Sequence, residues 1–185
     1  MSIEVVVDIE TTGLIKGVHE IVQLSVTHFK DFEITGIRFL SYVKPLKPEL
    51  ATSKAMEING LDLDELQNSA ATPGQVRMAF INWKKEIFGE DTKLEPMGHN
   101  YASFDKGFLE VFLNDWYDSI FSYNIMDTKI LAKALIKAKR LEPISTSLKS
   151  LCNHFNIPYI NAHDAYSDSL MTLKLYKELL NIIRS

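Results

Sequence analysis

Hydrophobic residues in the N-terminal part of the chain are grouped in short runs that are typical of β-strands. Residues 4–9 form a β-branched run, and residues 20–29 and 33–43 form two further runs of strand character. A glycine-containing segment and a polar turn separate the runs, and Pro45 and Pro48 follow the last one. Because proline cannot donate a hydrogen bond to a strand ladder, the pattern predicts three consecutive strands that end before Pro45.

The rest of the chain is dominated by apolar residues at helical spacing. Asp62 and Thr72 begin segments with capping-box spacing, and the helix after Thr72 is predicted to end at Gly89. The other predicted elements are a short strand over residues 95–98 and helices from Asp105, from Asp127 to Lys139, over residues 148–155 and over residues 165–183. Strands followed by mixed helices and strands predict one α/β domain, residues 1–185, with a mixed central sheet flanked by helices.

Two of these helices have an apolar face that we expect to point into the core. On the helix after Thr72 this face contains Val76, Phe80, Ile81, Ile87 and Phe88. On the helix from Asp105 it contains Phe108, Leu109, Phe112, Leu113 and Trp116.

The composition is globular, with 46% hydrophobic and 24% charged residues in a chain of 185. No apolar run approaches the roughly 20 residues of a membrane span, and the first residues lack the basic leader of a secretory signal. Cys152 is the lone cysteine, which excludes an internal disulfide and fits a reducing compartment. We therefore expect a cytoplasmic protein with no membrane association.

Two acids, Asp8 and Glu10, stand at the end of the first apolar run. Residues two apart in a strand point to the same side, where their like charges repel unless a cation lies between them. Mg²⁺ and Mn²⁺ favour such oxygen ligands, and Gly13 in the following turn would let the backbone approach a ligand closely. The alternative interpretation is a solvated strand end, where acids are common.

A third acid, Asp105, lies in the centre of the chain, where a helix is predicted to begin. Capping that helix is an ordinary role for an aspartate. His99 and Asn100 just upstream indicate, however, that polar groups cluster where the preceding strand ends. His99 itself is interpreted as a hydrogen-bonded structural histidine.

His163 and Asp168 form the last candidate group. In one continuous helix, residues five apart would be about 140° apart around the axis, so we place His163 on the loop before the helix and Asp168 in its first turn. A histidine there can take a proton from water, because its ordinary pKa is near neutral. An ordinary helix start capped by Asp164 is compatible with this interpretation.

Together these segments resemble the motifs of the DEDD exonuclease superfamily, in the branch that carries a histidine. Residues 8–14 are similar to its first motif, Asp105 within residues 99–105 to its second, and His163 with Asp168 to its third. The epsilon subunit of bacterial DNA polymerase III, oligoribonuclease and ribonuclease T belong to this superfamily. The resemblance spans nearly the whole chain, although Asn59 stands where many relatives have a histidine.

The resemblance implies a ribonuclease H-like fold and the 3′→5′ removal of nucleotides as 5′-monophosphates. It implies two divalent metal ions, Mg²⁺ or Mn²⁺, held by Asp8, Glu10, Asp105 and Asp168, with His163 as the general base. It also implies that the 3′-terminal nucleotide is held by Thr11, Thr12, Gly13 and Leu14, with Leu14 against the bases. Further contacts would come from Asn100, Tyr101 and Phe104.

The formal net charge of −4 argues mildly against a protein that wraps long nucleic acid, since such proteins are usually basic. Two bound divalent cations would, however, offset about four charges, and an enzyme that binds only a single-stranded 3′ end needs little basic surface. We favour DNA as the substrate, with RNA as the alternative.

Two other functions are compatible with the same motifs. One is a proofreading subunit whose activity depends on a polymerase or another replication or repair partner. The other is a non-catalytic nucleic-acid-binding module on this fold, for which the loss of one or more acids would be typical. None of the acids is lost here.

Overall fold

The computed structural model describes residues 3–160 and 163–185. Within these residues, five strands form one sheet in the order β3-β2-β1-β4-β5. The strands are β1 Ile3–Thr11, β2 Ile21–Lys30, β3 Glu33–Tyr42, β4 Leu94–Gly98 and β5 Met126–Asp127. Strand β1 pairs antiparallel with β2 and parallel with β4, so the predicted mixed sheet is confirmed.

The helices of the described residues are α1 Ser53–Asn59, α2 Leu63–Ser69, α3 Pro73–Phe88, α4 Asp105–Leu113, α5 Tyr117–Ile120, α6 Thr128–Lys137, α7 Leu148–His154 and α8 Ala165–Arg184. Thr72 forms the predicted capping box with Gln75, and Asp127 caps α6. Helix α6 ends at Lys137, two residues before its predicted end. None of the described helices is both long and apolar enough to cross a membrane.

Strand β1 is apolar on both sides because helices cover both faces of the sheet. Its residues Val5, Val7 and Ile9 belong to the same hydrophobic cluster as Phe80 of α3 and Leu109 of α4. Val6 packs on the other side, with Leu173 and Tyr176 of α8. Since side chains alternate along a strand, the residues that follow Val6 at intervals of two also face α8.

Two residues that were predicted to point into the core do not. Ile87 is 47% exposed and Trp116 is 48% exposed. In α3 the inward row runs at four-residue steps from Val76, so Phe88 and not Ile87 packs against the core. Helix α4 ends at Leu113, and Trp116 lies in a 3₁₀ turn, where helical spacing from Phe112 no longer applies.

Candidate active site

Asp8 and Glu10 lie near the carboxyl end of β1, on the side of the sheet that α8 covers. Burial raises the pKa of Asp8 well above its usual range, and the negative charges of Asp105 and Asp168 raise it further. The pKa of Glu10 is raised to about 8, mainly by burial and to a smaller extent by the negative charges of Asp168 and Asp105. The two strand acids therefore share one electrostatic environment with the two acids that are distant in sequence.

Asp105 is the first residue of α4 and is 4% exposed. The capping position belongs to Phe104, so capping does not explain why an aspartate is buried here. The backbone N–H groups of Ile9 and of Asp105 itself donate to its carboxylate and lower its pKa. Burial outweighs them, and the pKa of Asp105 rises to about 7. The hydrogen bond from Ile9 joins the start of α4 to β1 between the two strand acids.

His163 and Asp168 lie on opposite sides of the start of α8. Helix α8 begins at Ala165 with Asp164 as its N-cap. His163 therefore precedes the helix and Asp168 lies in its first turn, as predicted from their spacing. The backbone N–H of His163 donates to Oδ1 of Asp168 at 3.3 Å. Burial raises the pKa of Asp168 to about 6, and this hydrogen bond partly offsets the rise.

Side chains from β1, from the loop and from α8 converge at this point. One ligand atom each from Glu10, His163 and Asp168 lies within 4.8 Å of the others. Among the described residues, no salt bridge joins a basic side chain to any of the four acids. Carboxylate oxygens with raised pKa values and no cationic partner are suited to divalent cations, which prefer oxygen ligands. The donor set therefore fits a metal centre.

Side-chain hydrogen bonds of two threonines hold the conformation of the loop after β1. The hydroxyl of Thr11 donates to the carbonyl of Gly13 at 2.7 Å, and the hydroxyl of Thr12 accepts from the N–H of Glu20 at 2.9 Å. A Cβ atom at Gly13 would lie 2.3 Å from the ring of His19, so a side chain here would displace that ring, whose Nδ1 accepts from the N–H of Ile15. The side chain of Leu14 is 80% exposed. The threonines thus shape the loop, and Leu14 is the most exposed of its large apolar side chains.

The segment before α4 contains the other predicted contact residues. Asn100 has a positive φ of 73°, and Phe104 packs with its ring centroid 4.9 Å from that of Phe108. Tyr101 is fully buried, and its hydroxyl lies 3.0 Å from that of Tyr117. Phe104 directly precedes Asp105, and its N–H donates to the carbonyl of Asn100, whereas the side chain of Tyr101 belongs to the core.

His99 has the hydrogen bonds of a structural residue. Its Nε2 donates to the carbonyl of Thr146 at 3.1 Å, and its Nδ1 lies 2.9 Å from the hydroxyl of Thr128. Burial lowers the pKa of His99 to about 4. A neutral ring with both nitrogens in hydrogen bonds agrees with the sequence interpretation.

Three polar residues that support the site were not singled out from the sequence in this role. Asp127 accepts from the backbone N–H groups of Asn100 and Ala102, and Asn59 donates to the carbonyl of Thr11 at 3.2 Å. Gln23 donates a hydrogen bond to Asp164 and accepts one from the N–H of Ala165. Of the three, Gln23 left a signal, because a glutamine interrupts the apolar run of β2.

Comparisons with known proteins agree over most of the chain. The model of the family RNase_T, described as exonuclease, matches residues 5–176. The DNA polymerase III subunit epsilon of Buchnera aphidicola subsp. Schizaphis graminum is 29% identical, and the match covers 93% of this chain and 72% of that protein. The PolC-type DNA polymerase III of Oceanobacillus iheyensis is 31% identical, over 91% of this chain but 11% of that protein.

Solved structures of other proteins have the same architecture. Escherichia coli exonuclease I, in complex with a dT13 oligonucleotide, superposes with a TM-score of 0.77 at 20% identity. The match covers 97% of this chain and 41% of that one, so this chain spans less than half of exonuclease I. At such identity the likeness concerns the fold alone.

Proposed function

The chain belongs to the RNase_T exonuclease family and has the ribonuclease H-like fold, and on that premise we propose that it is a metal-dependent 3′→5′ exonuclease of single-stranded nucleic acid. The reaction releases nucleoside 5′-monophosphates, and residues 1–185 act as a single exonuclease domain. The observation that carries this proposal is the convergence of Glu10, His163 and Asp168 within 4.8 Å, beside Asp8 and Asp105.

DNA is the favoured substrate, with RNA as the alternative. Support for DNA comes from the named relatives, which are DNA polymerase III proteins, and from the oligonucleotide in the exonuclease I complex.

Asp8, Glu10, Asp105 and Asp168 would hold two divalent cations, Mg²⁺ or Mn²⁺. When bound, these cations supply Lewis-acid stabilisation of the charge on the reacting phosphate. The raised pKa values of Glu10, about 8, and of Asp105, about 7, support this assignment, because they mark a site where negative charge lacks a counter-charge.

His163 would act as the general base. An imidazole nitrogen accepts a proton from the attacking water while the water oxygen forms its bond to phosphorus. The bond between phosphorus and the 3′ oxygen of the penultimate nucleotide breaks, and that oxygen takes up a proton. The terminal nucleotide then leaves with its phosphate on the 5′ oxygen, and the shortened strand keeps a free 3′ hydroxyl.

The segment Thr11, Thr12, Gly13 and Leu14 would hold the terminal nucleotide. The exposed side chain of Leu14 can pack against the last bases, while the buried threonines fix the backbone that approaches the sugar and phosphate. Asn100 and Phe104 would add contacts from the other side of the site. We assign the buried Tyr101 a supporting role in place of a contact.

A gel time course with 5′-labelled single-stranded DNA and RNA of equal sequence tests this function. Each oligomer is incubated with Mg²⁺, with Mn²⁺ and with a chelator, and Asp8→Ala and His163→Ala are run beside the wild type. Asp118→Ala, which changes an exposed acid on α5, is the matched control. We expect a metal-dependent ladder that shortens from the 3′ end and is lost in the two site variants alone. Internal cleavage or an inactive folded wild type would contradict the proposal.

A second candidate is a proofreading subunit that depends on a replication partner. It is favoured by the relatives at 29% and 31% identity, which are named as DNA polymerase III proteins. Such a protein would degrade a mismatched primer terminus much faster when a DNA polymerase is present. Equal rates with and without the polymerase would favour the independent exonuclease. Either role fits the cytoplasmic location that we propose from the sequence.

A further inference from the structure

Gln23 is the third residue of β2 and is 1% exposed, with apolar Val22 and Leu24 beside it. Its partner across the sheet is Glu10. Side chains of directly opposed strand residues lie on the same face, so Gln23 points to the side where α8 begins. A buried amide at this place needs partners for both its N–H and its carbonyl group.

Both partners of Gln23 belong to the two residues that follow His163. Its Nε2 donates to Oδ1 of Asp164 at 2.9 Å, and its Oε1 accepts from the backbone N–H of Ala165 at 2.9 Å. Asp164 uses its other oxygen, Oδ2, to accept from the N–H and the hydroxyl of Ser167. The amide of Gln23 thus fixes the start of α8 from the sheet.

His163 itself is held through its backbone. Its φ is 66°, in the left-handed region that is uncommon for residues other than glycine. Its N–H donates to Asp168 at 3.3 Å, and among the described residues no hydrogen bond holds its imidazole ring. The direction of the ring therefore depends on the backbone of residues 163–165, and the sheet anchors that backbone through Gln23.

We propose that Gln23 is a positioning residue, which acts through Asp164 and Ala165 to keep the imidazole of His163 directed at the carboxylate cluster. This inference rests on the proposed function, because it takes His163 as the proton acceptor. The competing explanation is a merely structural tie between β2 and α8. Such a tie exists two residues further along β2, where the hydroxyls of Ser25 and Ser169 lie 3.3 Å apart.

The first test replaces Gln23 by leucine, which has a similar size and no hydrogen-bonding groups. We expect kcat to fall by roughly 10- to 100-fold, because small displacements of a catalytic group have effects of that order, while KM for the oligonucleotide changes little. In a His163→Ala background the same change should lower kcat no further. Ser25→Ala, which removes the neighbouring tie, should leave kcat unchanged. A fall of equal size in the His163→Ala background would overturn the inference.

The second test exchanges the two partners. Gln23→Glu places a carboxylate against Asp164 and should lower kcat. When it is combined with Asp164→Asn, the new amide N–H at position 164 can donate to the new carboxylate at position 23. In the double variant the introduced side-chain amide still offers an oxygen to Ser167. We expect the double variant to recover most of the lost kcat. If it is no more active than Gln23→Glu while its melting temperature is that of the wild type, the inference fails.

NMR separates this inference from the proposed function. In substrate-free protein, the imidazole resonances of His163 should shift in Gln23→Leu and stay unchanged in Ser25→Ala. Unchanged resonances in Gln23→Leu would overturn the inference whether or not the wild type degrades nucleic acid. An inactive wild type whose His163 resonances do shift would instead overturn the proposed function and leave the positioning role supported.

Discussion

The acids of the candidate site and its histidine are held in place by different means. Asp8 lies in β1, where it pairs with Ser25 of β2, and Asp105 and Asp168 lie in the first turns of α4 and α8. His163 lies outside these elements, with a left-handed backbone. The hydrophobic core thus places the acids, whereas a few polar contacts place the histidine.

The two groups also differ in their electrostatic state. The acids are brought together against their mutual repulsion, and burial raises the pKa of each one. Such an arrangement lowers the stability of the metal-free fold and favours a bound cation. Substitution of an acid should therefore change activity, metal binding and stability together, whereas substitution of the histidine should change activity alone.

Replacement of Asp8 by asparagine should have the largest effect. Loss of a ligand removes charge stabilisation of several kcal/mol, which corresponds to a fall in activity of roughly 10³-fold or more. In a chelator the melting temperature should rise, because burial and neighbouring acids raise the pKa of Asp8 and its ionised form destabilises the fold at neutral pH. Exonuclease rates and thermal unfolding in EDTA measure the two effects. A lower melting temperature in EDTA would contradict the electrostatic account.

Replacement of His163 by alanine tests the other group. A general base contributes about 10²- to 10⁴-fold, so we expect a loss in that range with the metal-induced rise in melting temperature retained. The ring lies within 4.8 Å of ligand atoms of Glu10 and Asp168, which makes a ligand role the rival. Loss of the metal-induced stabilisation in His163→Ala would identify the histidine as a ligand and remove the contrast between the two groups.

The sequence predicts the acids better than it predicts their support. Asp8 and Glu10 are recognisable because acids follow an apolar strand run, and the spacing of His163 and Asp168 places them around a helix start. The mixed sheet follows from the order of strands and helices. These features depend on patterns within a few residues, and such local patterns can be recognised in a single sequence.

Contacts between distant segments could not be predicted in this way. Gln23 and Asp164 are 141 positions apart, and their hydrogen bond exists only because β2 and α8 pack together. Tyr101 looked like a contact residue because it lies within a motif, but the fold turns its side chain into the core. The order of the strands likewise depends on pairings such as that of β4 with the short β5.

The raised pKa values of the acids make the stability of the metal-free protein depend on pH. The pKa of Glu10 is raised to about 8 and that of Asp105 to about 7, so the folded state binds more protons than the unfolded state between pH 6.5 and 8. The free energy of unfolding should therefore fall as the pH rises through this window. Below this window, His99 makes the free energy of unfolding rise with pH, because burial lowers its pKa to about 4 and the unfolded state then binds the extra proton. Denaturant unfolding in EDTA measures the slope.

Added metal should reverse the fall of the free energy of unfolding with rising pH. At a Mg²⁺ or Mn²⁺ concentration about 100 times the dissociation constant, stabilisation is about 2.7 kcal/mol, or roughly 5–10 °C for a chain of this size. The gain should be larger at pH 8 than at pH 6.5, since protons must leave before the cation binds. Glu10→Gln is the matched variant and should flatten both dependences. A metal effect that is equal at both pH values would contradict the proposed ligands.

Replacement of Leu14 by alanine should have the smallest effect, because this side chain belongs to neither group. It is 80% exposed, so its loss should leave the melting temperature unchanged. If Leu14 packs against the terminal bases, loss of that contact costs about 1–2 kcal/mol of binding, and KM should rise roughly 10-fold with kcat nearly constant. Ile15→Ala is the matched control, since Ile15 is also exposed, at 59%. A fall in kcat at constant KM would instead mean that Leu14 acts only once the reacting phosphate is in place, as we propose for the acids and His163.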